Sequence, residues 1–247
     1  MISINTIIYY TDTDFLKDEK LFNQSVQLLN ADRQEKIRRF RFEKDKRLSA
    51  GAGLLLRTAL SDYGKKTGKE FICNPNLKTV CGKNGKPHLM DYPDVFFNLS
   101  HSGSIALCVV SDMAAGCDVE KIRTADTGVM ERFFPDNEKN HIMSLPEGAE
   151  RDALFTRYWT LTESYIKMTG EGLSVPLRDV MINIDRNTCD ISIYRSTDDV
   201  SINRSSCSFA EYSGIAGYRC AVCIEGDHNL KDLEWNNVES ELTLRVN

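Results

Sequence analysis

The spacing of apolar residues predicts short β-strands along most of the chain. The run IIYY at residues 7–10 follows an alternating start and predicts a first strand. Runs rich in β-branched and aromatic residues, bounded by turn residues, predict three more at 95–99, 104–110 and 115–120. Beyond residue 180 the same signals recur and predict strands at 181–184, 190–194, 206–211 and 218–224.

Four other segments are predicted to be helices. In the first, Asn30-Ala31-Asp32, with Glu35 three residues after Asp32, resembles a helix N-cap with a capping box, and a basic helix is expected to run from there to about Phe40. Three further helices are predicted at 48–63, 127–134 and 150–168. The last of them should end at Gly170 and Gly172.

This order of elements predicts an α+β fold. Helices packed on small, mostly antiparallel sheets would form two halves, with a boundary near residues 110–115. We expect an N-terminal half over 1–112, a C-terminal half over 113–230 and a polar C-terminal tail over 231–247. Residues 64–93, rich in Gly, Asn, Pro and Lys, should form loops and short strands.

Charge is distributed unevenly along the chain. The 247 residues include 31 Lys and Arg against 36 Asp and Glu, a net charge of −5, which argues against a general nucleic-acid binder. Between Arg33 and Arg47, however, eight basic residues stand against three acidic ones. A local cationic patch in an acidic chain suits a small polyanionic ligand better than a nucleic acid.

The sequence predicts neither a membrane span nor a secretory signal. No apolar run approaches the roughly 20 residues that a transmembrane helix needs, and the first residues lack a basic segment and a small-residue cleavage site. We therefore expect a cytoplasmic protein whose eight cysteines remain thiols. For the one C-x-x-C pair, Cys220 and Cys223, we favour buried strand thiols over a metal or redox site, because no second ligand pair has suitable spacing.

Asp118 and Glu120 are candidates for binding a cation. Residues two apart on a strand point to the same face, so the two carboxylates would project together. They repel each other unless something positive lies between them, and a hard divalent cation is the usual solution. Solvated acids on an edge strand would explain the same spacing, and the spacing alone favours that simpler explanation.

The helix predicted over 150–168 adds a third carboxylate. Its apolar residues form one stripe, and Glu163 and Lys167 fall on the opposite side. One turn apart, these two could form an ordinary surface ion pair. A carboxylate beside an ammonium is also what a metal-bound pyrophosphate requires, because one ligates the cation and the other neutralises a phosphate oxygen.

Two further motifs place polar groups at predicted turns. The motif NLSHSG at 98–103 could receive phosphate oxygens at a strand end, or its hydroxyls could simply stabilise a turn. A Ser–His hydrolase is disfavoured, because the G-x-S-x-G motif is missing and Ser100 is adjacent to His101. The motif GKNGKP at 82–87 predicts a hairpin turn, in which Lys86 is either solvated or a second cationic contact.

Taken in order, the motifs resemble a known enzyme family. The chain contains GKP at 85–87, FFNLSHSG at 96–103, GCDVEKIR at 116–123, RFFPDNE at 132–138 and YWTLTESYIKMTGEGLSVPL at 158–177. This set is similar to the 4′-phosphopantetheinyl transferases, specifically to the two-domain, surfactin-synthetase-activating type. The resemblance implies a monomer of two pseudo-symmetric α/β halves.

The resemblance also implies a reaction and its partners. The 4′-phosphopantetheine arm of coenzyme A would be transferred to a serine of an apo acyl- or peptidyl-carrier protein, with Mg²⁺ as cofactor and release of 3′,5′-ADP. Neither a nucleic acid nor a membrane is an expected partner.

Individual residues take roles from the same resemblance. Asp118, Glu120 and Glu163 match the three carboxylates that hold Mg²⁺ against the pyrophosphate of coenzyme A. Glu138 matches a glutamate proposed to help deprotonate the carrier serine, and Lys167 matches a lysine near the phosphates. The serine proton would be taken by Glu138, by Glu163 or by a metal-bound water. The other residues that match coenzyme A contacts are Lys36, Arg47, Lys86, Ser100 and His101.

One position departs from the family pattern. In WTLTES at 159–164, Thr162 stands where the family commonly has lysine, directly before Glu163. Without that cation, Lys167 alone would have to neutralise the leaving group. We therefore expect a slower or differently pH-dependent enzyme rather than an inactive one.

Two other hypotheses fit the sequence. The same carboxylates could serve another Mg²⁺-dependent enzyme that acts on a nucleotide diphosphate. Alternatively, the chain could be a non-catalytic module that binds a carrier protein or coenzyme A, with Thr162 marking the loss of activity. Retention of all three carboxylates argues against such a module, because a pure binder gains nothing from three mutually repelling acids.

Overall fold

A computed structural model of the chain describes residues 4–69, 77–82, 84–172, 176–185, 190–196, 202–204 and 206–246. Lys83 and residues 173–175, which belong to two of the sequence motifs, lie outside these described residues. The chain divides into two compact units. The first comprises Met1–Gly82, Pro87–Ala115 and Leu233–Asn247, and the second comprises Lys83–Lys86 and Gly116–Asp232.

The first unit contains a four-stranded sheet. Its strands lie in the spatial order β12 (Trp235–Asn237), β1 (Thr6–Asp12), β5 (Ile105–Ser111) and β4 (Phe96–Ser102). β5 pairs antiparallel with both β1 and β4, whereas β12 lies parallel to β1. The residues predicted as a separate tail therefore supply an edge strand to this sheet. A short antiparallel hairpin joins β2 (Thr79–Cys81) to β3 (Pro87–Leu89).

One long helix covers this sheet. The helices of the first unit are α1 (Glu19–Gln27), α2 (Ala31–Arg39), α3 (Glu43–Thr67) and α7 (Glu239–Val246). α3 is buried along most of its length, and its Leu55 and Ala59 share a core with Ala106 and Cys108 of β5. The predicted buried helix is thus confirmed, and it is longer than its apolar pattern at both ends.

The start of α2 differs from the predicted capping box. Asn30 is the N-cap, since its side-chain oxygen accepts a hydrogen bond of 2.9 Å from the amide of Arg33. Glu35 pairs instead with Arg38 and Arg39 on the exposed surface. Two guanidinium groups three and four residues further along a helix are within easy reach of a glutamate, so these pairs form in preference to the cap.

The second unit contains two small sheets. One has the order β10 (Cys207–Tyr212), β11 (Tyr218–Glu225) and β6 (Ala115–Lys121). The other is antiparallel, with the order β7 (Val180–Ile184), β8 (Ile191–Ser196) and β9 (Ile202–Arg204). Cys220 and Cys223 are buried on β11, where a spacing of three residues turns them to opposite faces. Their geometry therefore excludes a shared metal ion.

Three helices complete the second unit, namely α4 (Thr127–Phe133), α5 (Asp136–Met143) and α6 (Ala149–Thr169). The sequence pattern missed α5, because its mostly polar segment has Ile142 as its one fully buried aliphatic residue. α6 packs on β11 and ends at Gly170, whose φ of 71° is the left-handed conformation that glycine favours. Among the described helices, none combines the length and the apolar composition that crossing a membrane requires.

Gly116 allows the backbone of α6 to lie very close to β6. A β-carbon at this position would be 2.1 Å from the carbonyl oxygen of Ser164 and 2.2 Å from the amide nitrogen of Met168. Backbone atoms of a packed helix cannot move aside as a flexible side chain can, so no larger residue fits. The contact fixes α6 against β6 two residues before Asp118.

We expect Gly116→Ala to lower the free energy of unfolding by about 1–3 kcal/mol or more, since this is the usual cost of overpacking. Urea unfolding measures this change. A suitable control is Gly128→Ala on α4, where the nearest atom to an added β-carbon is the Asp126 side-chain oxygen at 3.2 Å. The control should change stability by less than about 1 kcal/mol. Equal stability of Gly116→Ala and the wild type would contradict the close packing.

Candidate active site

Strand β6 directs Gly116, Asp118 and Glu120 to one face, as alternate residues of a strand. Asp118 is only 2 % exposed, and Glu120 is half-buried. Because α6 packs against Gly116, this face of the strand meets the helix. The burial of Asp118 rules out solvated acids as the explanation of the spacing.

Helix α6 brings Lys167 into contact with Asp118. The lysine Nζ lies 2.5 Å from Asp118 Oδ1, and the Asp118 side chain is 3 % exposed. The partner of Lys167 is thus a buried carboxylate on a neighbouring strand. Glu163, one turn earlier on the same helix, is half-buried. The helix face that the sequence predicted to be opposite the apolar stripe therefore lies largely inside the protein.

Burial and mutual repulsion alter the ionisation of these groups. Burial raises the pKa of Glu163, and repulsion from Asp118 and Glu120 adds to the rise, while Lys167 partly offsets it. Burial acts to lower the pKa of Lys167, but attraction to Asp118 and their hydrogen bond hold it above its ordinary value. The ammonium therefore stays charged, and the three carboxylates lie close enough to interact.

The three carboxylates have the donor chemistry of a site for a hard divalent cation, because Mg²⁺ prefers oxygen ligands. Within the part of the chain that the structure describes, no group of three or more His, Cys, Asp or Glu side chains is already arranged to hold a metal ion. The positive charge at this position is that of Lys167. The residues fit Mg²⁺ in chemistry and charge, and their side chains would have to turn to share one ion.

Glu138, on α5, lies inside the second unit. It is 1 % exposed, and its Oε1 accepts a hydrogen bond of 2.6 Å from the amide of Ile182 in β7. Burial raises the pKa of Glu138 to about 8, against the opposing effect of that hydrogen bond. A carboxyl group so enclosed cannot reach the hydroxyl of a separate protein. The geometry argues against the catalytic role that the resemblance implied, and favours a role in holding α5 against β7.

We expect Glu138→Gln to change how stability depends on pH. Folded Glu138 keeps its proton up to about pH 8, whereas in the unfolded chain its pKa is near the ordinary value of 4.5. The wild type therefore loses stability as the pH rises through this window, by up to about 1.4 kcal/mol per pH unit.

Glutamine does not titrate and can still accept the hydrogen bond from Ile182. The stability of Glu138→Gln relative to the wild type should therefore increase between pH 5 and pH 8, as measured by urea unfolding. A difference that stays constant across this window would show that Glu138 is not held in its protonated form.

Lys86 is turned into the protein. Its ammonium donates a hydrogen bond of 2.7 Å to the carbonyl oxygen of Met168, in the last turn of α6. Burial lowers the pKa of Lys86 to about 8. The structure thus uses Lys86 in an internal contact, which neither alternative from the sequence had included.

The motif with Ser100 and His101 lies on a strand and not at a turn. β4 continues to Ser102, because Ser100 and His101 pair with Leu107 and Ala106 of β5. Adjacent strand residues point to opposite faces, and Ser100 is buried while His101 is exposed. This arrangement excludes a Ser–His pair acting as nucleophile and base.

The remaining basic candidates lie in the first unit. Lys36 is exposed on α2, and Arg47 is half-buried on α3. Asp118, Glu120, Glu163 and Lys167 come together in the second unit. Contacts of coenzyme A with Lys36, Arg47, Ser100 and His101 stay predictions.

Two contacts, one made by β6 and one made by a residue just after it, were not found from the sequence. Gly116 permits the close approach of α6, and a glycine inside a predicted strand was a signal for such an approach. Arg123, just after β6, places its guanidinium 5.6 Å from the ring of Phe155 and 5.7 Å from that of Trp159. No local pattern indicates this second contact, because the two rings are more than thirty residues away.

Two family profiles match the chain. Residues 114–223 match the profile described as the 4′-phosphopantetheinyl transferase superfamily. Residues 17–113 match the profile described as 4′-phosphopantetheinyl transferase, N-terminal. The two matches meet next to the boundary between the structural units.

Several curated proteins are similar over most of the chain. The 4′-phosphopantetheinyl transferase ffp of Bacillus subtilis is 27 % identical over 214 residues, which are 87 % of this chain and 89 % of that protein. Sfp of Bacillus subtilis strain 168 is 26 % identical over 214 residues, which are again 87 % of this chain and 89 % of that protein. HetI of Nostoc is 36 % identical over 154 residues, 59 % of this chain and 61 % of that protein.

Among solved structures, a holo-(acyl-carrier-protein) synthase from Bacillus anthracis, in complex with CoA (3′,5′-ADP), matches with a TM-score of 0.37 and 19 % identity. The match covers 47 % of this chain and 97 % of that chain.

Proposed function

The chain belongs to the 4′-phosphopantetheinyl transferase superfamily, and from this premise we propose that it transfers the arm of coenzyme A to a serine of an apo acyl- or peptidyl-carrier protein, with Mg²⁺ and as a monomer. Membership makes the chain a phosphopantetheinyl transferase. The observation that supports Mg²⁺-dependent transfer is the buried pair of Lys167 and Asp118, which is electrostatically coupled to Glu120 and Glu163.

This arrangement suits a pyrophosphate. The two linked phosphates of coenzyme A carry negative charge that repels an incoming oxygen nucleophile. Asp118, Glu120 and Glu163 would hold Mg²⁺, which when bound supplies a Lewis acid that screens this charge. Lys167 adds an ammonium whose pKa is held above its ordinary value, so it is charged whenever the substrate arrives.

The reaction needs one bond to form and one to break. The serine oxygen of the carrier forms a bond to the phosphorus that bears pantetheine. The bond from that phosphorus to the bridging oxygen breaks, and 3′,5′-ADP leaves with the electron pair. Lys167 is placed to neutralise charge on the departing phosphate. The nucleophile belongs to the partner, so the chain needs no covalent intermediate of its own.

The serine proton requires a base, and Glu163 is the better placed of the two glutamates considered. It is half-buried rather than sealed inside the protein. Glu138 is 1 % exposed and bonded to a backbone amide. Of the two glutamates, Glu163 is therefore the one that a carrier serine could reach.

We expect the protein, incubated with coenzyme A, Mg²⁺ and an apo carrier protein, to raise the intact mass of the carrier by one phosphopantetheine with release of 3′,5′-ADP. Glu163→Gln should lower kcat by about 100-fold or more, because a carboxylate ligand for Mg²⁺ is lost. Coenzyme A binding by calorimetry should weaken much less. Glu211→Gln, which alters an ion pair with Arg157 elsewhere on α6, is the matched control.

Three outcomes would count against this proposal. Binding of coenzyme A without a mass gain on any of several carriers would identify a non-catalytic module. Equal activity of Glu163→Gln and the wild type would show that Glu163 is neither ligand nor base. Release of a different product from a nucleotide diphosphate would favour the other Mg²⁺-dependent enzyme.

We expect Lys167→Met to bind divalent cations more tightly than the wild type in the absence of coenzyme A. Removing the ammonium leaves three coupled carboxylates without their buried partner, which costs about 3–5 kcal/mol of stability. A divalent cation would restore part of that loss. Thermal unfolding with and without Mn²⁺ measures both effects, and Lys139→Met on α5 is the control. A variant whose Tm responds to Mn²⁺ no more than that of the wild type would contradict competition between Lys167 and the cation.

A further inference from the structure

We propose that Lys86 and Asn84 are positioning residues that hold the C-terminal end of α6, and with it Glu163 and Lys167, in the register that catalysis needs. This inference rests on the proposed function, since it concerns the same reaction. It assigns Lys86 to an internal contact of the protein rather than to a ligand.

Hydrogen bonds from residues 84–86 close the end of α6. The last four carbonyl groups of an α-helix have no partner within the helix. The Lys86 ammonium donates to the carbonyl oxygen of Met168 at 2.7 Å, and Asn84 Nδ2 donates to that of Gly170 at 3.1 Å. A cation at this end also interacts favourably with the negative end of the helix dipole.

The aliphatic stem of Lys86 lies close to Gly170. A β-carbon on Gly170 would lie 3.0 Å from Cδ and 3.6 Å from Cβ of Lys86. Burial lowers the pKa of Lys86 to about 8, which agrees with an ammonium placed inside the protein. Both the stem and the ammonium of Lys86 therefore lie against the end of α6.

Met168 is held at two atoms of its backbone. Its amide nitrogen packs against Gly116, and its carbonyl oxygen accepts the hydrogen bond from Lys86. Lys167 is the preceding residue, and its ammonium must reach Asp118 at 2.5 Å. A displacement of about 1 Å in a reacting group can reduce a rate about 100-fold. A loosened helix end would therefore affect turnover before it affects binding.

The two possible roles of Lys86 make different predictions. If Lys86 contacts coenzyme A, its removal raises the Kd of coenzyme A. If Lys86 positions α6, its removal lowers kcat, leaves that Kd nearly unchanged and loosens the backbone at 164–172, even without substrate.

The test compares Lys86→Met, which keeps most of the stem and loses the ammonium, with Lys69→Met. Lys69 directly follows the end of the other long helix, α3, and its ammonium pairs with Asp94 instead of a helix carbonyl. We expect Lys86→Met to lower kcat about tenfold or more, with Kd for coenzyme A within about threefold of the wild type. Amides at the end of α6 should exchange hydrogen faster in Lys86→Met alone, and Lys86→Arg should lie closer to the wild type in both readouts.

A tenfold weaker coenzyme A affinity with unchanged kcat would overturn the positioning role in favour of a ligand contact. Unchanged exchange at the end of α6 would overturn it as well. If Lys86→Met does not fold, Asn84→Ala can be tested instead, because it removes the exposed hydrogen bond to the carbonyl of Gly170. It should lower kcat and speed hydrogen exchange at the end of α6, to a smaller extent. If the wild type transfers nothing, the proposed function fails, while exchange in the substrate-free protein still tests the contact.

Discussion

The candidate site depends on how closely the backbone of one helix can lie against one strand. Gly116 has no side chain, so α6 approaches β6 to a distance at which any β-carbon would overlap the carbonyl of Ser164. Asp118, two residues further along the strand, consequently meets Lys167 of the helix. A larger residue at position 116 would move the helix outward, and the ion pair would lengthen with it.

The close packing of α6 on β6 also brings carboxylates together at a buried position, where they need a positively charged partner. Burial raises the pKa of Glu163, repulsion from Asp118 and Glu120 adds to the rise, and a buried charge is tolerated only when it is paired. Lys167 provides that pairing from within the chain. Thr162, where the family commonly has lysine, is 8 % exposed, so Lys167 carries this task without a second cation from that position. A slower or differently pH-dependent enzyme stays the expectation from that substitution.

Two ionisable residues that the resemblance placed near the ligand hold backbone groups instead. The carboxyl of Glu138 accepts a hydrogen bond from the amide of Ile182, and the ammonium of Lys86 donates one to the carbonyl of Met168. Burial shifts the pKa of each group to about 8, which favours its uncharged form. A buried ionisable group with a shifted pKa is often a functional signal, but structural contacts shift pKa values too. Here the partners are backbone atoms of the protein itself, which favours structural roles.

The sequence by itself determined the α+β class, most strands to within one or two residues and the two long helices, and its motifs singled out the carboxylates and the lysine that the structure brings together. These follow from local periodicity and from motifs that are contiguous in the chain. It missed α5, whose polar residues show no period, and the capping box that it predicted between Asp32 and Glu35 does not form, because Asn30 caps α2. Only the tertiary structure decided that Asp118 is buried against Lys167, and that Lys86 and Glu138 face inward. Burial and partners depend on which distant segments pack together, and a residue's type and spacing do not contain that information.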